Sequence, residues 1–252
     1  MSTIVIIPAR LNSSRLSGKV LLDICGKPMV QHVFESAQKA KGIKAVYIAT
    51  DSVEVQEACK QFTQNILMTK TTHESGTDRL AEAVNSLSCD NVINVQGDEP
   101  LIDPSLISQL ALMLEDKTVT MVSAMHKIKR VDDLKSVNSV KVTVDKNSNA
   151  LYFSRSIIPH DRDNWDRLLN DYEAIPNDLI FYKHIGIYGY KTSFLLKYST
   201  LEQTYLEKLE KLEQLRVLEN GFKIKMLSTD YVPVGVDIQE DLDEVRKIMK
   251  CQ

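Results

Sequence analysis

The first half of the chain alternates short apolar runs with amphipathic stretches, and this alternation restricts the fold more than any other feature. The apolar runs at residues 4–7, 45–50 and 92–95 are short and rich in β-branched residues, as buried strands are. Between them lie stretches of helical periodicity such as residues 28–41. Strands that alternate with helices form a parallel sheet covered on both faces. The sequence therefore predicts an α/β fold with a Rossmann-like, mostly parallel sheet.

A basic loop follows the first of these strands. The apolar run stops at Pro8, and Arg10, Arg15 and Lys19 follow among small hydroxyl residues and Gly18. Ligands of parallel sheets bind beyond the carboxyl ends of the strands. Main-chain amides, guanidinium groups and an ammonium group suit a triphosphate, although the spacing fits neither the P-loop nor the G-x-G-x-x-G pattern. These residues predict a phosphate-binding loop, with a solvated basic loop as the alternative.

Two aspartates occupy similar turns after later strands. Asp98 follows the strand at 92–95 in the run Q-G-D-E-P, where Gly97 allows close backbone approach. Asp237 lies in a second predicted turn, just before the last helix. Carboxylates at strand ends suit a divalent cation that bridges phosphates. A helix cap or an ordinary turn is the alternative for each, so the metal site requires both carboxylates at one edge of the sheet.

A helix is predicted to open at residues 75–79. Ser75 and Arg79 lie at its beginning, where free amides, a hydroxyl and a guanidinium group could hold a base or a phosphate. Capping of the helix by Ser75 or Thr77 is an equally good reading of these residues alone.

A later strand at 181–190 carries polar residues on one face. His184 and Tyr188 share that face, whereas Ile185 and Ile187 point to the opposite one. Near them we expect polar residues from two other segments, namely Arg155 and, on one side of a helix predicted over 205–218, Glu210, Glu213 and Gln214. Together these side chains could form a pocket for a polyhydroxylated acid, and a solvated helix face is the alternative.

Composition excludes several classes of protein. The net charge of −3 gives no overall attraction to nucleic acid or to an anionic membrane. No apolar window approaches the length of a membrane span. The four cysteines, Cys25, Cys59, Cys89 and Cys251, are scattered, which argues against a zinc site or a disulfide framework and is compatible with a reducing cytoplasm. We expect a soluble, cytoplasmic protein.

The predicted organisation is a large α/β domain with an insertion. Residues 1–124 and 191–252 would form the nucleotide-binding domain. Residues 125–190 would form a smaller lobe of mixed strands over the ligand edge, with a charged and irregular surface loop at 161–178.

Ten short motifs, in this order and spacing, resemble the 3-deoxy-manno-octulosonate cytidylyltransferase family, the CMP-Kdo synthetases. The resemblance covers essentially the whole chain. The matching stretches are I-I-P-A-R at 6–10, S-R-L-S-G-K at 14–19, G-K-P-M at 26–29, A-T-D at 49–51, S-G-T-D-R-L-A-E at 75–82, N-V-Q-G-D-E-P at 94–100, L-Y-F-S-R at 151–155, H-I-G-I-Y-G-Y at 184–190, K-L-E-Q-L-R at 211–216 and G-V-D at 235–237.

The resemblance implies a nucleotidyltransferase of the nucleotide-diphospho-sugar transferase type. It implies transfer of CMP from CTP to 3-deoxy-D-manno-octulosonate (Kdo), which activates Kdo for lipopolysaccharide synthesis, with Mg²⁺ as cofactor and a homodimer as the assembly. The catalytic residues that it implies are Arg10, Arg15, Lys19, Asp98 and Asp237, of which the two aspartates would bind Mg²⁺. The implied nucleotide site comprises Pro8, Ala9, Arg10, Ser14, Arg15, Lys19, Ser75, Arg79 and Gln96. The implied sugar site comprises Arg155, His184, Tyr188, Glu210, Glu213 and Gln214.

Some residues depart from the family pattern, and other functions stay open. Ser17 replaces a usual proline, and the turn at 232–237 is one residue shorter than usual. A sialate or other sugar nucleotidyltransferase would share the first loop, and a glycosyltransferase could use Asp98 similarly without releasing pyrophosphate from CTP. A non-catalytic nucleotide-binding protein would bind CTP without turnover. The acceptor could be Kdo or its 8-amino relative, since one or two contacts decide between them.

Overall fold

The computed structural model describes residues 1–11, 16–73 and 76–251. Three predicted site residues, Ser14, Arg15 and Ser75, lie outside the described residues.

Strands and helices alternate as predicted. The strands of the described residues are β1 Thr3–Pro8, β2 Asp23–Ile24, β3 Lys27–Pro28, β4 Ile43–Thr50, β5 Ile66–Met68, β6 Asn91–Asn94, β7 Met121–Lys127, β8 Lys141–Val144, β9 Ala150–Ser154, β10 Tyr182–Lys191 and β11 Lys225–Ser228. The helices are α1 Met29–Gln38, α2 Val53–Cys59, α3 Gly76–Val84, α4 Pro104–Met113, α5 Val131–Lys135, α6 Trp165–Asn170, α7 Thr192–Tyr198, α8 Tyr205–Glu210, α9 Gln214–Glu219 and α10 Gln239–Ile248, with a 3₁₀ turn at Lys19–Leu21.

A single large sheet crosses the molecule, and its strand order is β11-β7-β10-β6-β1-β4-β5. The neighbours β6, β1, β4 and β5 are mutually parallel, and so are β7 and β11. Strand β10 runs antiparallel to both β6 and β7. Strand β8 pairs with β10 and carries β9 at the edge. The predicted mostly parallel α/β sheet is confirmed.

Buried side chains form a separate core on each face of this sheet. On one face, Val5 and Ile7 pack with Val33 of α1 and Leu106 of α4. On the other, Ile4 and Ile6 pack with Leu80 of α3 and with residues of α7 and α9. Because successive residues of β1 enter opposite cores, this strand is buried on both sides, as its continuous apolar run indicates.

Strand β10 lies in the middle of the main sheet, although it falls within the segment assigned by sequence to the smaller lobe. Residues between β7 and β10 build a small core of their own, in which Ile128, Val131, Leu134 and Phe181 are buried. The division of the chain into two lobes stays a prediction.

Two predicted elements are wrong. The helix expected over 205–218 is broken into α8 and α9, because Lys211 adopts a left-handed conformation with φ of 55°. The segment at 161–178, expected to be an irregular surface loop, contains α6 and buries Leu168 and Ile175 against α5.

The expected absence of a disulfide is also wrong. Cys25 and Cys251 form a disulfide with a Cα–Cα distance of 4.8 Å. The bond joins the turn between β2 and β3 to the residues after α10. Cysteines so far apart in sequence give no spacing pattern, so only the fold reveals the pair.

The described part of the chain has no helix with both the length and the apolar character that a membrane crossing needs.

Candidate active site

The carboxyl ends of the parallel strands β1, β4 and β6 lie at one edge of the sheet, and the described nucleotide-site residues Pro8, Ala9 and Gln96 lie at or just beyond these ends. A close approach between two of these ends fixes the position of the turn after β6. A Cβ atom on Gly97 would lie 2.8 Å from the carbonyl oxygen of Pro8. Only glycine fits such a contact, so Gly97 allows the turn to pass directly beside the end of β1.

Lys19 and two aspartates form a charged cluster beyond these strand ends. The Lys19 ammonium contacts the carboxylate of Asp98 and lies 3.0 Å from Asp237 Oδ1. It also donates to the carbonyl oxygen of Val236 at 3.2 Å. Burial lowers the pKa of Lys19, but the neighbouring Asp98 and Asp237 outweigh this and raise the pKa above its ordinary value. The cluster therefore holds a fully charged lysine.

Backbone hydrogen bonds hold Asp98 and Asp237 side by side. The amide of Val236 donates to the carbonyl oxygen of Asp98 at 2.9 Å. The carboxylate of Asp241, in the first turn of α10, accepts from the amide of Asp237 at 2.8 Å. Asp237 is thus not the residue that caps α10, and its own carboxylate is directed to Lys19 instead.

The donor set of this cluster fits Mg²⁺. The two carboxylates already converge on one cationic nitrogen, which marks a point that both can reach. Within residues 1–11, 16–73 and 76–251, no group of three or more acidic, histidine or cysteine side chains is arranged to hold a metal. Mg²⁺ characteristically takes one or two protein carboxylates and completes its shell with water and substrate phosphates.

Two arginines of the predicted nucleotide site are described by the structure. Arg10 follows the buried Ala9 and donates to the carbonyl oxygen of His73 at 3.3 Å. Arg79 is completely buried, donates to Asp51 at 2.6 Å and contacts the hydroxyl of Thr69. The guanidinium of Arg79 therefore links α3 to the residues that follow β4 and β5.

A cavity of about 420 Å³ opens at the end of β6, where Gln96, two residues before Asp98, lines it. Seven segments of the described residues line it, namely the beginning of α3, the end of β6, the beginning of β7, the residues before β8, strand β10, the end of α7 and the turn between α8 and α9. Four residues of the predicted sugar site line this cavity, namely His184, Tyr188, Glu213 and Gln214. Gln96, from the turn after β6, lines it as well.

Several polar groups of the cavity wall lack a protein partner. Asn94 Oδ1 and Gln214 Nε2 are buried, and no side chain or backbone group of the described residues bonds to either. Unsatisfied buried polar atoms cost about 1–3 kcal/mol each, so they indicate a ligand or water that satisfies them. One acceptor and one donor in the same cavity suit a ligand rich in hydroxyl groups.

Glu213 adds a partly buried carboxyl group whose pKa is raised. Burial raises the pKa of Glu213, and the Thr77 hydroxyl that donates to it at 2.8 Å opposes this effect. Across the cavity, the Tyr188 hydroxyl donates to Gln214 Oε1 at 3.3 Å. The polar face predicted for β10 is confirmed, since Ile185 and Ile187 are buried in the opposite core.

Arg155 and Glu210 occupy a different place from the other predicted sugar-site residues. The carboxylate of Glu210 accepts from the Ser154 hydroxyl at 2.6 Å and from the Arg155 amide at 2.9 Å. The Arg155 guanidinium donates to the Glu210 carbonyl oxygen at 2.8 Å. These bonds tie β9 to α8. Because the helix breaks at Lys211, Glu210 faces β9 whereas Glu213 and Gln214 face the cavity.

The sequence predicted no place in the sugar pocket for some cavity residues, including Thr77, Asn94, Asn138, Lys183 and Lys211. Thr77 and Asn94 belong to two of the family motifs quoted above, at 75–82 and 94–100. Asn94 lies two residues before Gln96, so strand alternation places both on one face, and this signal could have identified Asn94. Lys211 and Asn138 enter the wall only through turns that no periodicity predicts.

Comparison with known proteins gives a consistent result. The profile of a family described as Cytidylyltransferase matches residues 4–224. A relative from Haemophilus influenzae (strain 86-028NP), named 3-deoxy-manno-octulosonate cytidylyltransferase, is 49% identical over 253 residues, which cover 99% of each chain. A relative of the same name from Geobacter metallireducens is 47% identical over 97% of this chain and 96% of its own length.

Solved structures agree with these sequence relatives. A structure described as CMP:2-keto-3-deoxy-manno-octonic acid synthetase complexed with CTP superposes with a TM-score of 0.90 at 38% identity, over 99% of both chains. A 4-diphosphocytidyl-2C-methyl-D-erythritol synthase from Anaerococcus prevotii superposes with a TM-score of 0.61 at 13% identity, over 99% of this chain and 96% of that one. The second likeness concerns the fold alone.

Proposed function

Because the chain belongs to the 3-deoxy-manno-octulosonate cytidylyltransferase family, we propose that it transfers CMP from CTP to Kdo and releases pyrophosphate. One observation supports the proposal most directly: the end of β6 contributes residues both to the polar cavity and to the charged cluster around Lys19. Asn94 and Gln96 line the polar cavity, and Asp98, in the same turn, meets Lys19 and Asp237. A sugar acid in the cavity would thus lie beside a site suited to the phosphates of a nucleotide.

In this reaction the anomeric hydroxyl of Kdo attacks the α-phosphorus of CTP, and pyrophosphate leaves. Positioning and charge stabilisation supply most of the catalysis in phosphoryl-group transfers. Arg10, Arg15 and Lys19 would bind the triphosphate and neutralise the charge that develops on pyrophosphate. The raised pKa of Lys19 between the two carboxylates keeps this side chain cationic, which supports such a role.

Asp98 and Asp237 would hold Mg²⁺. When bound, the metal would neutralise phosphate charge and lower the pKa of the attacking hydroxyl. The chain itself must keep the two carboxylates adjacent, and the hydrogen bond between Val236 and Asp98 does so. No protein general base is needed for this proposal, because the hydroxyl, with its pKa lowered, would lose its proton to water as the bond to phosphorus forms and the bond to pyrophosphate breaks.

Cytidine would bind near Pro8, Ala9, Ser14, Ser75, Arg79 and Gln96. Since Arg79 is buried against Asp51 and Thr69, we propose that it supports the base pocket and shapes its wall. Kdo would occupy the cavity with His184, Tyr188, Glu213 and Gln214. Arg155 and Glu210 would position α8 from outside the cavity, through the bonds between β9 and that helix.

A homodimer is the assembly that we propose, on the basis of the family resemblance. Three large apolar side chains on β9 and α8 support it: Leu151, Tyr205 and Leu209 are 60%, 72% and 65% exposed. Apolar side chains of this size on neighbouring elements favour a protein contact over water. We also propose a cytoplasmic location, where CTP is supplied.

Pyrophosphate release from CTP and Mg²⁺ tests the proposed function, with Kdo, 8-amino-Kdo, sialic acid or no sugar added. Release with Kdo alone would support the proposal and identify the acceptor. Release only with 8-amino-Kdo or with sialic acid would keep the nucleotidyl transfer and change the acceptor. Clear CTP binding without release for any sugar would overturn the proposed activity.

A further inference from the structure

The buried hydroxyl of Ser123, on β7, lies opposite an irregularity in β10. The pairing of the two strands shifts between Ile185 and Tyr188, so the intervening carbonyl groups leave the regular ladder. Ser123 Oγ lies 2.8 Å from the carbonyl oxygen of Ile187 and 3.3 Å from that of Ile185. It also lies 2.9 Å from His184 Nε2. One hydroxyl thus faces two carbonyl oxygens and one ring nitrogen.

The number of protons decides the direction of these bonds. A serine hydroxyl donates one hydrogen bond, and a carbonyl oxygen can only accept. The closest carbonyl, that of Ile187, therefore receives the proton of Ser123. The Ser123 oxygen then presents a lone pair to His184, and a 2.9 Å contact with a lone pair requires a proton on Nε2.

The His184 ring carries only that one proton. Burial lowers the pKa of His184 to about 3, so the ring is neutral at physiological pH. With Nε2 protonated, Nδ1 has a free lone pair. Nδ1 is not among the fully buried, unpartnered polar atoms of the described residues, and His184 lines the cavity. Since His184 lines the cavity, a ligand there could donate a hydrogen bond to this lone pair.

The ring cannot turn freely to exchange its nitrogens. Phe153 packs edge-on against it with a centroid distance of 5.0 Å, and Tyr188 packs at 5.4 Å on a tilt. The amide of His184 donates to the carbonyl oxygen of Val140 at 2.8 Å, which fixes the backbone.

We propose that Ser123 is a positioning residue that holds His184 as the Nε2-protonated tautomer and so presents Nδ1 as a hydrogen-bond acceptor for a hydroxyl group of the sugar acid. The identity of the ligand rests on the proposed function, whereas the tautomer does not.

Nuclear magnetic resonance of the ligand-free protein, labelled with ¹⁵N, tests the tautomer directly. A long-range ¹H–¹⁵N spectrum at neutral pH distinguishes a protonated ring nitrogen from an unprotonated one, and the His184→Asn variant identifies the His184 signals by their loss. We expect an unprotonated Nδ1 and a protonated Nε2. A protonated Nδ1 in the wild-type protein would overturn the proposal, and His184→Gln can identify the signals where His184→Asn does not fold.

Kinetics test the consequence for the ligand. In Ser123→Ala the His184 ring loses its hydrogen-bond partner. We expect the KM for Kdo to rise about 3- to 10-fold, which corresponds to the loss of one hydrogen bond. The KM for CTP should stay within about twofold of wild type. Ser36→Ala is the matched control, because the Ser36 hydroxyl also donates to a backbone carbonyl, that of Ile102 at 2.6 Å, away from the cavity. Equal changes in both KM values, or no change in either, would contradict a positioning role.

Substitutions of His184 distinguish the roles of its two ring nitrogens. Asparagine places its carboxamide oxygen near the position of Nδ1, whereas glutamine reaches the position of Nε2. We expect His184→Asn to keep a lower KM for Kdo than His184→Gln, and the reverse order would contradict the proposal. The protein could show an Nε2-protonated His184 and yet release no pyrophosphate with any sugar acid. That result would overturn the proposed activity and leave the tautomer assignment standing.

Discussion

The amide of Val236 donates to the carbonyl oxygen of Asp98 at 2.9 Å, and this bond joins the turn after β6 to the segment before α10. It places the Asp98 and Asp237 carboxylates around the same Lys19 ammonium. The relationship matters for function because it brings carboxylates from two distant segments to one cationic group.

Removal of either carboxylate charge should impair the reaction. For Asp98→Asn and Asp237→Asn we expect a loss of about 3–4 kcal/mol of transition-state stabilisation, or about 10²- to 10³-fold in rate, since a metal ligand's charge is lost. The rate of pyrophosphate release, determined over a range of Mg²⁺ concentrations, measures this loss.

Asp103→Asn is the control for these variants. Asp103 caps α4 by accepting from the Ser105 amide at 2.8 Å, a role that asparagine fills equally well, so rate and stability should stay near wild type. Near-normal turnover of Asp98→Asn at ordinary Mg²⁺ would refute the role of Asp98.

Gly97→Ala should disturb the same turn through sterics alone. The added Cβ would lie 2.8 Å from the Pro8 carbonyl oxygen, so either the strand end or the turn must shift. We expect a loss of about 1–3 kcal/mol in the free energy of unfolding, together with reduced activity. Urea denaturation checks the stability.

Gly76→Ala serves as the comparison for that experiment. A Cβ at Gly76 meets no atom within 4 Å, and helix propensity favours alanine there. Its unfolding free energy should therefore equal or exceed that of wild type. If Gly97→Ala were as stable as Gly76→Ala, the close approach to Pro8 would not constrain the fold.

The local sequence pattern was sufficient to predict the sheet and much of the sheet edge that carries the candidate site. The strand at residues 4–7 and the turn at Asp98 could be located because a β-branched run ending at a proline or glycine is a local signal. The opposite faces of His184 and Ile185 likewise follow from strand alternation, which the irregularity in β10 does not reverse.

Features that depend on long-range contacts could not be predicted. The break at Lys211 overrides a continuous helical periodicity because Glu210 bonds to Ser154 and Arg155 of β9. Arg79 looks like a ligand-binding residue in sequence, and its burial against Asp51 is decided by how α3 packs on the sheet.

The buried His184 should make stability depend on pH. Its pKa falls from 6.5 in the unfolded chain to about 3 in the folded protein, because burial disfavours the charged ring. Below pH 6.5 the unfolded state binds a proton that the folded state does not, so stability present above pH 6.5 is lost as the pH falls toward 3. Between about pH 7.5 and 5.5 the loss should be about 1.4 kcal/mol.

Urea denaturation of wild type and His184→Asn at these two pH values isolates that contribution. The variant should lose about 1.4 kcal/mol less than wild type over the interval. His160→Asn, which replaces an exposed histidine, should keep the wild-type pH dependence. Identical pH dependence in wild type and His184→Asn would mean that His184 ionises with equal ease in both states.

The disulfide between Cys25 and Cys251 should stabilise the segment that carries Asp237. It closes a loop with a sequence separation of 226, and the Arg246 guanidinium donates to the Asp23 carbonyl oxygen at 2.7 Å beside it. The bond restricts the unfolded chain, so Cys251→Ser should lower the free energy of unfolding by about 2–4 kcal/mol. Cys89→Ser, which removes a thiol outside the disulfide, should have a much smaller effect.

Thiol titration shows whether the bond forms in the purified protein. Unfolded without reductant, the oxidised chain should expose only the thiols of Cys59 and Cys89, and after reduction all four cysteines should react. If reductant lowers the stability of wild type to that of Cys251→Ser and leaves the variant unchanged, the bond is responsible for the difference. Four reactive thiols in the unreduced protein would mean that the pair remains reduced, and the stability difference should then vanish.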